Sequence, residues 1–171
     1  MEFVLRSPEE LKEALRYSDS YSRLATLIEL GGVTASFEWL TMLGESWSCC
    51  DNISEYMVEL FDSHFGCRHP DDLPIREMMS NDEQAEYDAL PDFVTVYRGC
   101  YAPNKWGLSW SLSEEVATKF PTLSRYRMEG QPLLVRATAK KENIVALKND
   151  RNEAEIITHR PKQISVRHIR N

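Results

Sequence analysis

Two glutamates one residue apart, Glu153 and Glu155, close the polar stretch Asn149-Asp150-Arg151-Asn152 and, with Ala154 between them, open the apolar run Ile156-Ile157-Thr158. If that run begins a strand, alternation of side chains sends both carboxylates to one face. Like charges set side by side raise the cost of ionising both, so the pair implies a cation, a substrate or a solvated rim. The plain alternative is a solvated strand end, because Glu-x-Glu at a loop edge is common. Two earlier segments carry their own oddities. Val94-Thr95-Val96-Tyr97-Arg98-Gly99 reads as a β-branched and aromatic strand with an arginine near its end, and a guanidinium on a mostly apolar strand calls for an anion. Gly107-Leu108-Ser109-Trp110-Ser111-Leu112-Ser113-Glu114 reads as a short strand turning into a helix. Ser111 and Glu114 are spaced as a Ser-x-x-Glu capping box, and Val116, Ala117 and Phe120 supply the apolar stripe behind it.

An arginine on a first strand, serines on a second and Glu-x-Glu on a later one, in that order, resemble the arginine-serine-glutamate class of mono-ADP-ribosyltransferases known from bacterial toxins, injected effectors and phages. The resemblance covers about residues 93–169 and rests on the order and setting of the motifs. It implies NAD as substrate, no metal, and release of nicotinamide as ADP-ribose passes to a protein side chain, an arginine. Arg98, flanked by Tyr97 and Gly99, would hold the phosphates and ribose of NAD. Ser109-Trp110-Ser111 falls where the family has Ser-Thr-Ser and would line the same site. Glu155 would be the catalytic carboxylate that also meets the ribose, Ser109 would hold it in register, and Glu153 would orient the incoming guanidinium.

Trp110 departs from the pattern, with a bulky ring where a small polar group is expected. That ring could fill a nicotinamide pocket, which favours a rival: a binding protein that keeps the fold without turnover and uses its acidic half. A plain NAD glycohydrolase is a second rival. For Arg98 the structural alternative is an ion pair with Glu153 or Glu155. Arg125 and Arg127 are pyrophosphate candidates or surface charges, and Phe120, Tyr126 or Trp106 could stack on a cofactor ring.

Charge divides along the 171-residue chain: residues 1–90 carry 6 Lys or Arg against 19 Asp or Glu, and residues 91–171 carry 14 against 8. A basic half suits a pyrophosphate, whereas the acidic half repels nucleic acid and suits a basic protein surface, or is simply a solvated helical face. The length predicts one compact unit over 1–171, an acidic helical region (1–90) leading into a β-rich NAD-binding core (91–171). No apolar run reaches membrane length and the start lacks a secretory pattern, so the expected setting is the cytoplasm of the producing or the target cell. Cys49, Cys50 and Cys67 with His64 and His69 match no usual zinc spacing, and with Cys100 they read as reduced thiols.

The positioning elements follow from periodicity. Ser7-Pro8-Glu9-Glu10 starts a helix running to about Tyr17. Others are expected from Tyr21 to Leu30 with a stop at Gly31-Gly32, after Thr34 with Phe37, Leu40, Met42 and Leu43 buried, from Asn52 to Gly66 with Ile53, Tyr56, Met57, Leu60 and Phe61 on one side, and after Ser80 up to Pro91. Strands are expected at Phe93–Tyr97, Leu108–Ser111, Leu133–Ala139, Ile144–Leu147, Ala154–Thr158 and Ile164–Ile169, interrupted by a helix from Ser113 to Phe120. Helices first and strands later describe an α+β arrangement. The resemblance adds two small β-sheets packed around an NAD cleft.

Overall fold

In the computed structural model of the protein, residues 7–31, 36–60, 73–150 and 153–170 are described. Phe61, His64, Gly66, Cys67 and His69 lie outside these residues, as do Gly32, Thr34, Arg151 and Asn152. The chain divides into two compact units, Met1–Ser80 and Asn81–Asn171. The boundary falls ten residues before the composition change, because the helix that follows Ser80 packs with the sheet.

The first unit is helical: α1 (Pro8–Arg16), α2 (Arg23–Gly31), α3 (Ser36–Ser46), and the short turns α4 (Met57–Glu59) and α5 (Leu73–Arg76). The expected start of α1 is present in full, with Glu10 N–H donating to Ser7 Oγ and Ser7 N–H to Glu10 Oε2. Leu24, Leu27, Leu40, Leu43 and Trp47 form its interior, and Trp39 Nε1 donates to the Leu27 carbonyl. Phe37, expected inside, is 52% exposed, whereas Trp39, two residues on, is buried and reaches Leu27 of α2. Ile53 to Tyr56 form a 3-10 turn rather than the start of one long helix.

The second unit comprises α6 (Asn81–Asp88), β1 (Phe93–Cys100), β2 (Ser109–Ser111), α7 (Glu114–Lys119), β3 (Leu133–Lys140), β4 (Ile144–Lys148), β5 (Glu155–Thr158) and β6 (Lys162–His168). All six strands belong to one antiparallel sheet in the order β4-β5-β2-β1-β3-β6, which corrects the expectation of two packed sheets. The reason lies in the middle. β4, β5 and β2 form one ribbon and β1, β3 and β6 another, and the registered pair Tyr97↔Ser111 stitches them together. One face of β1 and β3 is apolar apart from Arg98, with Val94, Val96, Val135, Ala137 and Ala139 buried. α7 covers part of the other face, where Tyr97 packs against Ala117, Leu134 and Ile169.

No helix among the described residues is long and apolar enough to cross a membrane.

Candidate active site

Strand pairing sets the site. Registered partners in antiparallel strands point to the same face, so the row Lys148–Glu155–Ser111–Tyr97–Arg136–Ser165 crosses the whole sheet on one side. Ser109, two residues from Ser111, shares that face. Glu155, Ser109, Ser111 and Tyr97, distant in sequence, are thus neighbours on three adjacent strands.

Arg98 enters from the opposite face, beside Trp110. Its guanidinium sits where β1 and β2 part beyond Tyr97↔Ser111. Nη1 donates to the Ser109 carbonyl (2.5 Å), while Nε and Nη2 donate to the Asn104 carbonyl (3.3 and 3.1 Å). Gly107 closes against it, and a Cβ there would collide with the guanidinium. Asn104 is itself fixed by Tyr101 N–H, which donates to its Oδ1 (2.8 Å). Arg98 keeps partial exposure along its length, yet burial is the leading influence on its charge and pulls its pKa below the ordinary arginine value. Cys100 and Glu155 oppose that pull. Burial also raises the Cys100 thiol pKa, so at neutral pH Cys100 is protonated.

No ion pair within 4.0 Å joins Arg98 to Glu153 or Glu155 among the described residues; backbone carbonyls fill that place. A guanidinium has five N–H groups, and these bonds engage three. Two further N–H groups take no part in that strap on the sheet. Arg98→Lys removes the planar fork and cannot reach Asn104 and Ser109 together. We expect it to lower stability by about 1–3 kcal/mol, measured by urea unfolding; a wild-type midpoint would leave the strap without a role in stability.

Ser111 is a pin. Its Oγ donates to the Glu153 carbonyl (2.8 Å) and accepts from Ser113 N–H (3.0 Å). The expected capping box is corrected accordingly: Ser113 caps α7 by accepting from Val116 N–H, and Glu114 is turned to Arg167 (2.7 Å). Trp110 is 2% exposed, donates through Nε1 to the Gly107 carbonyl and lies 6.5 Å from the Trp106 ring. It is a core residue on the face away from Ser109 and Glu155. Gly99 answers a packing demand, since a Cβ there would collide with the Ala117 carbonyl and Pro121.

Glu153 and Glu155 do not sit on one strand. β5 begins at Glu155, and Ala154 has φ of 44°, a left-handed conformation that breaks the alternation between the two carboxylates. Both are half-buried. Arg125 and Arg127 are exposed, with Arg125 over the Tyr126 ring (4.7 Å) and Tyr126 5.5 Å from Phe120; Trp106 carries Lys105 over its face (4.9 Å). Cys49 is exposed, Cys50 and Cys100 are buried and free, and burial pushes Cys50 to about 12. Among the described residues no three His, Cys, Asp or Glu side chains gather as a metal site.

Sequence reasoning missed Asn104, Gly107, Asn149 and Glu83. Only the first two carried a signal: a Pro-Asn turn and a glycine just before a strand.

Protein-family models, curated proteins and solved structures return no match to this chain.

Proposed function

We propose that the protein is a mono-ADP-ribosyltransferase that transfers ADP-ribose from NAD to a protein side chain, an arginine, and releases nicotinamide. The observation that carries this reading is the meeting of β1, β2 and β5 in one sheet. It brings Ser109 and Glu155 to one face and seats Arg98 in the seam against the Ser109 carbonyl, within electrostatic reach of Glu155.

Nicotinamide departs with the electron pair of its bond to the ribose, leaving positive charge on the sugar as in glycoside hydrolysis. A fixed carboxylate beside that carbon is the direct remedy, and Glu155 holds that place in a row anchored on both sides. Ser109 keeps the ribose in register. The acceptor nitrogen forms the new bond to the ribose carbon and gives up its proton. Glu153, just outside β5, faces the acceptor and takes that proton, and it pairs with the guanidinium beforehand.

The direct experiment supplies the purified protein with NAD and agmatine, a small guanidine, and follows nicotinamide and ADP-ribosyl-agmatine. Both products are expected. Glu153→Gln should lower agmatine modification by about 10²-fold while NAD hydrolysis falls much less. Equal loss of both would reject the division of labour between the two glutamates.

A non-catalytic binding protein is the second reading, favoured by one observation: the carbonyl bonds of Arg98 give it a structural use without NAD. Trp110, in the core, no longer supports that reading. Absence of both products would favour it.

A further inference from the structure

A chain of bonds runs beneath the Glu-x-Glu turn. The carboxylate of Glu83 on α6 is 5% exposed and receives Lys148 Nζ on Oε2 (2.8 Å) and the Asn149 main-chain N–H on Oε1 (2.7 Å). The Asn149 side chain then turns back, its Oδ1 accepting the N–H of Ala154 (3.3 Å). On the far side of the turn the Ala154 carbonyl accepts from Leu112 N–H (3.0 Å) and the Glu153 carbonyl from Ser111 Oγ (2.8 Å). Residue 154 is therefore gripped from both sides. It needs to be, because its φ of 44° is a conformation that a Cβ disfavours and that glycine would adopt freely.

The next residue is Glu155, the first of β5. The backbone angle at 154 sets the direction from which the chain enters the strand, and so where the Glu155 carboxylate stands. Resting on the transferase reading, we infer that Asn149, seated on Glu83, is the positioning residue for Glu155. It touches no substrate and acts by holding residue 154 in the left-handed conformation. The bland alternative is a loop closure that contributes stability alone.

Three variants separate the two: Asn149→Ala, the double variant Asn149→Ala/Ala154→Gly, and Ala154→Val, which burdens the same backbone angle without touching Asn149. For each, kcat and KM for NAD are measured by nicotinamide release, and exchange of the residue-154 amide by NMR. Asn149→Ala should speed that exchange and lower kcat roughly tenfold or more with KM within about twofold, the mark of a misplaced group rather than a lost contact. Glycine at 154 should restore most of kcat. Ala154→Val should reproduce the loss, and it carries the test if Asn149→Ala does not fold.

Faster exchange with wild-type kcat would overturn the inference and leave the transferase reading standing, as would wild-type kcat in Ala154→Val. A wild-type protein that turns over no NAD would instead remove the transferase reading and the catalytic half of this inference with it.

Discussion

Glu155→Gln should lower nicotinamide release from NAD by about 10²- to 10³-fold, equivalent to roughly 3–4 kcal/mol of transition-state stabilisation. Glutamine keeps the shape and one hydrogen-bonding oxygen but cannot face a developing cation with a full negative charge. The fold should not suffer, because Glu155 is half-buried at the first position of β5 and the apolar contacts of that strand come from Ile156 and Ile157. Unchanged circular dichroism and melting temperature, together with lost turnover, are the expected pair of results. Turnover kept within threefold of wild type would take the catalytic role away from Glu155.

The largest effect on stability is expected at Glu83. Removing its carboxylate by Glu83→Ala takes the partner at 2.8 Å from the Lys148 ammonium, 5% exposed, and strips the Asn149 N–H of its acceptor. Breaking one side of a buried ion pair costs about 3–5 kcal/mol, which lowers the midpoint of urea unfolding and shifts the melting temperature by on the order of 15 °C for a unit of this size. The same physics predicts that Glu83→Leu combined with Lys148→Met is far milder, since no charge is left stranded. A loss below 1 kcal/mol in the single variant would mean that water reaches Lys148 and that the pair does not anchor the loop.

Residues whose conformation depends on their immediate neighbours were legible in the sequence. Ser7, Pro8 and Glu10 announced α1, and the period-two runs placed all six strands to within a few residues, β1 extending to Cys100 because its pairing with β3 continues to Cys100↔Leu133. What depended on pairing was hidden. A strand run does not say which other run it meets, so the single Tyr97↔Ser111 stitch that merges two ribbons into one sheet had no local signal. Likewise Ser111-x-x-Glu114 had the spacing of a capping box, but the Glu153 carbonyl, 42 residues away, claimed the Ser111 hydroxyl. Ala154 gave no warning of its left-handed backbone, which glycine or asparagine would have advertised. Glu83 and Lys148, 65 residues apart, carried no local sign of their pairing. Within the candidate site, the order Arg98, Ser109, Glu155 was readable, whereas the approach of Arg98 from the opposite face emerged only with the register.

We propose that Ser109 and Glu155 on one sheet face, with Arg98 reaching the seam from the other, form one site that moves ADP-ribose. The most direct test is incubation of the purified protein with NAD radiolabelled in the adenylate phosphate and a cell lysate, followed by electrophoresis and autoradiography. The account predicts labelled protein bands that hydroxylamine, which cleaves arginine-linked ADP-ribose, removes and that the Glu155→Gln protein fails to produce. Intact NAD with no labelled band and no free nicotinamide would contradict it.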